Sequence, residues 1–183
     1  MQMTLDGNLI YTGKDIAKKI LKQVELKPHC GIDSSGTKMG FIRQFAELKL
    51  HNVKGFYFVY RNEIPVYVGF SLRSVGMRLN RWVSRILGTQ LDSDDHFGAR
   101  MYRWLYGKDL DQMSIKIFTL EEMSILLEGY NVSYEEIELS LIELANPTCN
   151  TVGNKKDIPT QEVHDALHIV TYSGNTLEDF YNT

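Results

Sequence analysis

The hydrophobic positions along the chain follow two periods, and the change between them predicts the order of the elements. Apolar residues three and four apart favour amphipathic helices, whereas short aromatic and β-branched runs favour strands. The predicted helices cover residues 12–28, 39–50, 72–87, 96–106 and 133–145, and the predicted strands cover residues 55–60, 65–70 and 113–118. The C-terminal tail is predicted to be helical in part, over residues 160–181.

Two of these helices begin at capping signals. Thr12 and Asp15, and again Ser133 and Glu136, place a hydroxyl three residues before a carboxylate, which is the spacing of a capping box. The element order is helices, hairpin, helices, strand, helix. This order predicts an α+β fold in which helices pack on a small mixed sheet.

Two tyrosines mark the predicted hairpin. Tyr57 and Tyr67 stand five residues on either side of Asn62. A hairpin that turned symmetrically about Asn62 would place them opposite each other, on the same side of the sheet. Such a pair either only packs, or it presents two phenol hydroxyls that donate to a phosphate or accept a proton.

An arginine stripe follows on the next helix. On a helical wheel, Arg78, Arg81 and Arg85 form a stripe beside an apolar arc that has Trp82 at its edge, and Arg78 is nearest to that arc. The stripe is either a solvated basic face or a phosphate-binding face, because guanidinium groups match phosphate oxygens bidentately.

Further basic residues lie before and after this stripe. Arg73 precedes it, Arg100 and Arg103 alternate with aromatic residues on the following helix, and Lys108 comes next. This mixture suits nucleic acid, but it also suits an ordinary amphipathic helix.

Glu138 is the one glutamate of its helix that falls inside the apolar arc of the wheel. A carboxylate on a packed face is costly unless it is paired, hydrogen-bonded or bound to a metal. Glu138 is therefore either satisfied by a core tyrosine or a backbone amide, or it is a ligand for a hard cation such as Mg²⁺.

Charge is distributed unevenly along the chain although the net charge is only −3. The first 108 residues carry a net charge of +8, whereas the last 75 carry three basic and fourteen acidic side chains, a net charge of −11. Such asymmetry is typical of proteins with a polyanionic partner.

Composition excludes several classes of protein. The chain contains no apolar run of about 18 residues, so no membrane span is expected, and its N-terminus lacks a signal-peptide pattern. The only cysteines, Cys30 and Cys149, are too few for a disulfide framework or a four-cysteine zinc site. We therefore expect an intracellular, cytoplasmic protein. A metal site at His164 and His168, which are spaced i, i+4, is not expected.

Together these residues resemble the GIY-YIG nuclease family. The name-giving tripeptides correspond to Gly55-Phe56-Tyr57 and Tyr67-Val68-Gly69, and Arg78 lies on a helix similar to the family's arginine helix. The segment from Glu138 through Pro147 to Asn150 is similar to the Glu…Leu-Ile…Pro…Asn pattern of the UvrC nuclease domain. His96 resembles the histidine of the homing endonucleases in this family.

The resemblance implies a three-stranded antiparallel sheet flanked by helices. The nuclease core would cover residues 54–151, with an N-terminal helical extension over residues 1–53 and a helical tail over residues 152–183. It also implies hydrolysis of phosphodiester bonds in double-stranded DNA to 5′-phosphate and 3′-hydroxyl ends. One Mg²⁺ or Mn²⁺ ion per active site would be the cofactor.

The family's functional residues carry over position by position. Tyr57 would be the general base for the attacking water, Tyr67 would assist or bind phosphate, and Arg78 would stabilise the charged phosphate. Glu138 would hold the metal and Asn150 would support the site. Trp82 stands where many members have His or Tyr, so His96 or a water would take over that acid–base role.

Three functions are compatible with the sequence. The first is a compact endonuclease of restriction, phage or mobile-element type, which would form a homodimer or act twice to cut both strands. The second is a nucleic-acid-binding module without catalysis. The third is a scaffold whose acidic tail contacts a protein. The predicted contacts to DNA beyond the catalytic residues are Arg73, Arg81, Arg85, Arg100, Arg103 and Lys108.

Overall fold

The computed structural model describes residues 2–3, 9–32, 38–88, 97–110, 112–128 and 130–150. The strands are β1 (Gln2–Met3), β2 (Leu9–Ile10), β3 (Cys30–Gly31), β4 (Gly55–Arg61), β5 (Ile64–Ser71) and β6 (Met113–Thr119). The helices are α1 (Gly13–Glu25), α2 (Lys38–Glu47), α3 (Val75–Leu87), α4 (Phe97–Tyr106), α5 (Leu120–Leu126) and α6 (Tyr134–Ala145), and a 3-10 turn covers Leu50–Asn52. The predicted α+β class is confirmed. The predicted partial helix over residues 160–181 lies outside the described residues.

The main sheet is antiparallel and has the strand order β3-β6-β4-β5. Its three long strands are the three that the sequence predicts. The fourth strand, β3, was not predicted; Cys30 and Gly31 pair there with Ile115 and Ser114 of β6. Two residues are too few to show a period, and their strand geometry depends on the β6 edge that they join. β1 and β2 form a separate antiparallel pair.

Helices cover both faces of the main sheet. Tyr57 and Val59 of β4 belong to a core cluster shared with α2, α3 and α4, whereas Phe56 and Phe58 belong to a second cluster shared with α1, α5 and α6. Successive strand residues point to opposite faces, so both faces of β4 are apolar because both are covered.

The first helix belongs to one of these layers. Ile16, Ala17, Ile20 and Val24 of α1 are buried in the cluster that contains Phe56. The N-terminal extension therefore packs against the sheet, at least through α1.

The hairpin of β4 and β5 turns later than the sequence predicts. The turn consists of Asn62 and Glu63, which both have positive φ, 48° and 65°, as in a type I′ turn. Next to it the register shifts by a β-bulge between Val59 and Tyr60, where Val66 is the extra residue of β5. The predicted symmetry about Asn62 is therefore wrong.

Side-chain caps begin the helices, with one departure from prediction. Thr12 and Asp15 form the predicted reciprocal capping box of α1. Ser133 accepts from the backbone N–H of Glu136 as predicted, but the Glu136 carboxylate accepts from Gly13 N of α1 at 2.8 Å instead of capping its own helix. Half of the second box is thus replaced by a contact between helices.

The basic front and the acidic back of the sequence meet in the fold. Three described ion pairs each join a cation from the first 108 residues to an anion from the last 75. These pairs are Lys14–Glu143, Lys27–Glu122 and Arg61–Asp109. Part of the negative charge therefore compensates positive charge inside the molecule.

Both cysteines are free, with Cys30 exposed and Cys149 buried. Within the described ranges, no helix combines the length and the apolar composition needed to cross a membrane.

Candidate functional site at the edge of strand β5

Tyr57 and Tyr67 lie on the same face of the sheet, but not opposite each other. The β4–β5 register pairs Tyr57 with Gly69 and Val59 with Tyr67, so the tyrosines are diagonal neighbours. Their ring centroids are 6.1 Å apart. The bulge moves the pairing away from the predicted one, while the shared face is retained.

Gly69 makes room for the ring of Tyr57. A Cβ built on Gly69 would overlap the Tyr57 phenol, including its hydroxyl oxygen. The second tripeptide thus needs its glycine for a close approach between side chain and backbone. Gly98 of α4 has the same relation to Tyr67, because a Cβ there would lie 2.5 Å from Tyr67 Cε2.

Both phenols stay protonated at neutral pH. Burial raises the pKa of Tyr57 well above its usual value, and the neighbouring Tyr67 raises it further. Burial, with the charge of Glu138 adding to it, raises the pKa of Tyr67 to about 12. A hydrogen bond between the two phenols raises the pKa of Tyr57 and lowers that of Tyr67, which is the effect expected when Tyr57 donates.

Glu138 lies half-buried on α6, as its position in the apolar arc predicts. Burial raises the pKa of its carboxyl group, whereas a hydrogen bond from the backbone N–H of Phe70 and the charge of Arg78 lower it. The other glutamates of α6 are exposed, as predicted: Glu135, Glu136 and Glu143.

Arg78 approaches the same place from α3, on the other side of the sheet. Its charge lowers the pKa values of Tyr57, Tyr67 and Glu138. The helix is fixed at its start by Ser74, whose hydroxyl accepts from Met77 N at 3.1 Å. A basic group and a carboxylate thus converge on two neutral phenols.

Asn150 binds the free edge of β5. Its Oδ1 accepts from Val68 N, and its Nδ2 donates to Val68 O, both at 2.8 Å. The backbone N–H of Cys149 donates to Val66 O at 2.8 Å. With Glu138 on Phe70 N, three alternate residues of the edge strand are satisfied by the segment that runs from α6 to Asn150. Asn150 therefore holds this segment on β5.

Trp82 lies deeper than the wheel predicts. It is fully buried, and its ring centroid lies 5.8 Å from that of Tyr67 and 5.1 Å from that of Tyr102. The helical wheel places Trp82 at the edge of the apolar arc because a wheel considers only the angle around α3. In the fold, Tyr102 of α4 covers that edge. Trp82 belongs to the core behind Tyr67.

The predicted DNA contacts separate into two groups. Arg73, just before α3, and Arg81, on α3, are exposed, and Arg85 is half-exposed one turn further along the helix. Arg103 instead lies at the end of α3, where its Nη1 is 3.2 Å from a Cβ built on Gly88. Arg100 is partly buried and Lys108 is exposed in the turn after α4.

The predicted His96, like His164 and His168, lies outside the described residues. Among the side chains that the structure describes, no group of three or more His, Cys, Asp and Glu could hold a metal ion. A single-carboxylate site for Mg²⁺ is not such a group.

Sequence reasoning missed the parts of the site that depend on the sheet edge. Gly98 and the backbone of Phe70 carry no side-chain signal, and the hydroxyl of Ser71, which accepts from Ser74 N at 3.0 Å, was not considered. The Ser71–Ser74 spacing before an apolar helix was a readable turn signal.

No protein family, curated protein or solved structure matches the chain.

Proposed function

We propose that the protein is a metal-dependent DNA endonuclease with a GIY-YIG-type site. The observation that carries the proposal is the convergence of Arg78, Glu138, Tyr57 and Tyr67 at the edge of β5, on elements in the order that the resemblance implies. Phosphodiester hydrolysis needs stabilisation of the negative charge that builds up on the phosphate. A guanidinium beside a carboxylate-held cation provides it.

The residues fit a hard cation. One carboxylate, with Phe70 N–H occupying only part of its acceptor capacity, leaves lone pairs for Mg²⁺ or Mn²⁺, which take their remaining ligands from water and substrate. When bound, the ion would supply charge stabilisation and a more acidic water. Binding of the cation would also offset the free-energy cost of burying the negative charge of Glu138.

The chain's own residues have defined roles in this proposal. Arg78 binds the phosphate, and Asn150 keeps the Glu138 segment on β5. Tyr57 is a hydrogen-bond donor in the protein without a cation, because its raised pKa keeps the proton on the phenol. A general-base role for Tyr57 requires further positive charge near it, of the kind that Arg78 already supplies in part.

A plasmid cleavage assay tests the proposal. We expect cleavage with Mg²⁺ or Mn²⁺, none with chelator, and a loss of at least about a hundredfold in Glu138→Gln and Arg78→Ala. Glu121→Gln and Arg43→Ala, which change exposed side chains on α5 and α2, are the matched controls and should retain activity. Undiminished cleavage by a pure Glu138→Gln preparation would contradict the proposed site.

A second measurement does not depend on activity. Mg²⁺ or Mn²⁺ should raise the thermal midpoint of the wild type by binding to the folded state, and it should not raise that of Glu138→Gln. Equal shifts in both proteins would place the metal elsewhere.

The alternative is a nucleic-acid-binding module without catalysis. Its specific support is Trp82, a buried indole at the position where many family members carry an acid–base side chain, together with the raised pKa of Tyr57. Salt-sensitive DNA binding with no cleavage under either metal would favour this alternative.

A further inference from the structure

Two large apolar side chains are exposed beside the candidate site. Leu72, on the segment that joins β5 to α3, is 54% exposed, and Met77, in the first turn of α3, is 53% exposed. Single exposed apolar residues are ordinary on protein surfaces, so exposure alone has no functional meaning. The surroundings of these two residues are what distinguish them.

The backbone that carries them is fixed by hydroxyl groups. The Ser71 hydroxyl accepts from Arg73 N at 3.3 Å and from Ser74 N at 3.0 Å. The Ser74 hydroxyl then accepts from Met77 N. Ser71 and Ser74 are themselves buried, so Leu72 and Met77 project from a firmly held turn and the first turn of a helix.

The only charged residues of the chain stretch that carries both side chains are arginines. The stretch from Ser71 to Gly88 contains four arginines and no acidic residue. Arg73 directly follows Leu72, and Arg78 directly follows Met77. Arg81 lies one helical turn beyond Met77 on the exposed face of α3. Exposed apolar side chains next to arginines complement a polyanion that also offers apolar surface between its charged groups. The stacked bases of DNA between two phosphate backbones have this character.

We propose that Leu72 and Met77 form a wedge that enters the base stack of bound DNA beside the phosphate held by Arg78. This inference rests on the proposed function and narrows its substrate class to DNA whose bases are unstacked near the cleaved bond. Insertion of apolar side chains kinks a duplex and costs a few kcal/mol of unstacking per step. The bend brings further phosphates towards Arg73 and Arg81, which repays part of that cost.

The wedge predicts a difference between substrates. Intact duplex must be unstacked by the protein, whereas a duplex with a mismatch at the same step is already partly open. The wild type should therefore cleave the mismatched duplex faster. Removal of the wedge should slow cleavage of the intact duplex and leave that of the mismatched duplex nearly unchanged. A loss of general stability or of phosphate contacts would slow both.

The experiment compares Leu72→Ala/Met77→Ala with Leu26→Ala, which truncates an 88% exposed leucine at the end of α1. Cleavage rates are measured on an intact duplex and on the same duplex with a two-base mismatch. We expect at least about a tenfold loss on the intact duplex for the double variant, consistent with a few kcal/mol of unstacking, and less than a twofold change on the mismatched one. Leu26→Ala should match the wild type on both.

Base unstacking is also measured without cleavage. A duplex labelled with 2-aminopurine should brighten when Glu138→Gln protein binds, and this signal should disappear when Leu72→Ala/Met77→Ala is added to that variant.

An unchanged intact-duplex rate, an equal loss on both substrates, or a persisting fluorescence rise would overturn the wedge. Binding of the wild type to anionic lipid vesicles, lost in the double variant while DNA behaviour is unchanged, would assign the surface to membranes and overturn it too. If the wild type cleaves no DNA, the proposed function fails. The fluorescence arm then still decides whether the wedge exists.

Discussion

At the scale of single residues, burial controls the chemistry of the candidate site. It raises the pKa of Tyr57, of Tyr67 and of Glu138 in the same direction, towards the neutral form. Arg78 opposes that effect on all three. In the proposed function, a bound cation would add to the effect of Arg78 on all three groups.

Glu138 should reduce stability at neutral pH. Because its pKa is raised in the folded state, its contribution is most favourable below the unfolded value of about 4.5 and is lost as pH rises through the folded pKa. Glu138→Gln does not titrate, so it should unfold at a higher temperature than the wild type at pH 7. The two proteins should converge near pH 4. Thermal unfolding from pH 4 to pH 7 without divalent metal measures this.

The exposed Glu121→Gln serves as the control and should show no such convergence. A Glu138→Gln protein that is less stable than the wild type at pH 7 would mean that the carboxylate has a stabilising partner in the folded state.

Sequence patterns located these residues better than they located their partners. The wheel placed Glu138 on the packed side of α6, and the predicted hairpin about Asn62 placed Tyr57 of β4 and Tyr67 of β5 on one face of the sheet. The cross-strand partner of each tyrosine depends on a β-bulge at Val59 and Tyr60. Neither the composition nor the hydrophobic period of the sequence predicts that bulge. Trp82 was misplaced for a similar reason, because its burial comes from α4.

At the scale of elements, the outer edge of β5 organises the site. Asn150, Cys149 N and Glu138 occupy the outward-facing groups of Val68, Val66 and Phe70. An edge strand normally leaves such groups to water or to another chain. Here they position the carboxylate, so the geometry of the site depends on the completeness of this edge.

Two variants of Asn150 separate the contribution of its donated hydrogen bond from that of its accepted one. Asn150→Ala leaves Val68 N and O without partners and should lower the free energy of unfolding by about 2 kcal/mol or more. Asn150→Asp accepts from Val68 N, but its carboxylate faces Val68 O without a proton to donate. It should therefore be destabilised at pH 7 and recover as pH falls below about 4, where the carboxyl group is protonated.

Urea denaturation at both pH values measures these effects, with the exposed Asn52→Asp as the matched control. If Asn150→Asp were as stable as the wild type at pH 7, the bond from Nδ2 to Val68 O would contribute nothing.

Helices and strands that are long enough to show a hydrophobic period were predicted to within a few residues. The shortest elements were missed. β4, β5, β6, α4 and α6 begin and end close to the predicted positions. α5 was not predicted, although its Thr119–Glu122 capping box is readable in the sequence, because its seven residues allow only two turns of periodicity. β3 is shorter still and forms only through its pairing with β6.

At the scale of the whole molecule, the two covered faces of the sheet make α1 part of the same folding unit as the candidate site. Ile20 is fully buried against the face that α6 also covers, and Gly13 N and Lys14 contact α6 through Glu136 and Glu143. The sequence left open whether this region packs or extends the DNA-binding surface. α1 packs, with lysines remaining on its outer side.

Truncation of Ile20 should therefore destabilise the whole fold. Ile20→Ala should lower the free energy of unfolding by about 2–5 kcal/mol. Far-ultraviolet circular dichroism and the fluorescence of Trp82 and Trp104, which both belong to the layer on the opposite face, should report one shared transition, because both layers pack on the same strands.

Gln23→Ala, at an exposed position of α1, is the control and should change stability by less than about 0.5 kcal/mol. Two separated transitions in Ile20→Ala would show that α1 unfolds as an independent unit.

The separation of basic and acidic residues along the chain is partly cancelled in the fold. Lys14, Lys27 and Arg61 are matched by carboxylates from the acidic part, whereas the arginines of α3 lie in a stretch that has no acidic residue. Surface ion pairs contribute little stability, about 0–1 kcal/mol each. Their larger effect is to leave a more confined basic surface than the sequence alone implies.

The occupied edge of β5 also bears on how the protein survives in a crowded solution. Exposed strand edges recruit strands from other molecules and start aggregates, and β3 at the opposite edge of the described sheet is only two residues long. The segment from Glu138 to Asn150 therefore guards the apolar strand Ile64–Ser71 while it builds the site. Variants that lose this segment should therefore lose solubility, and proteostasis should remove them before they accumulate.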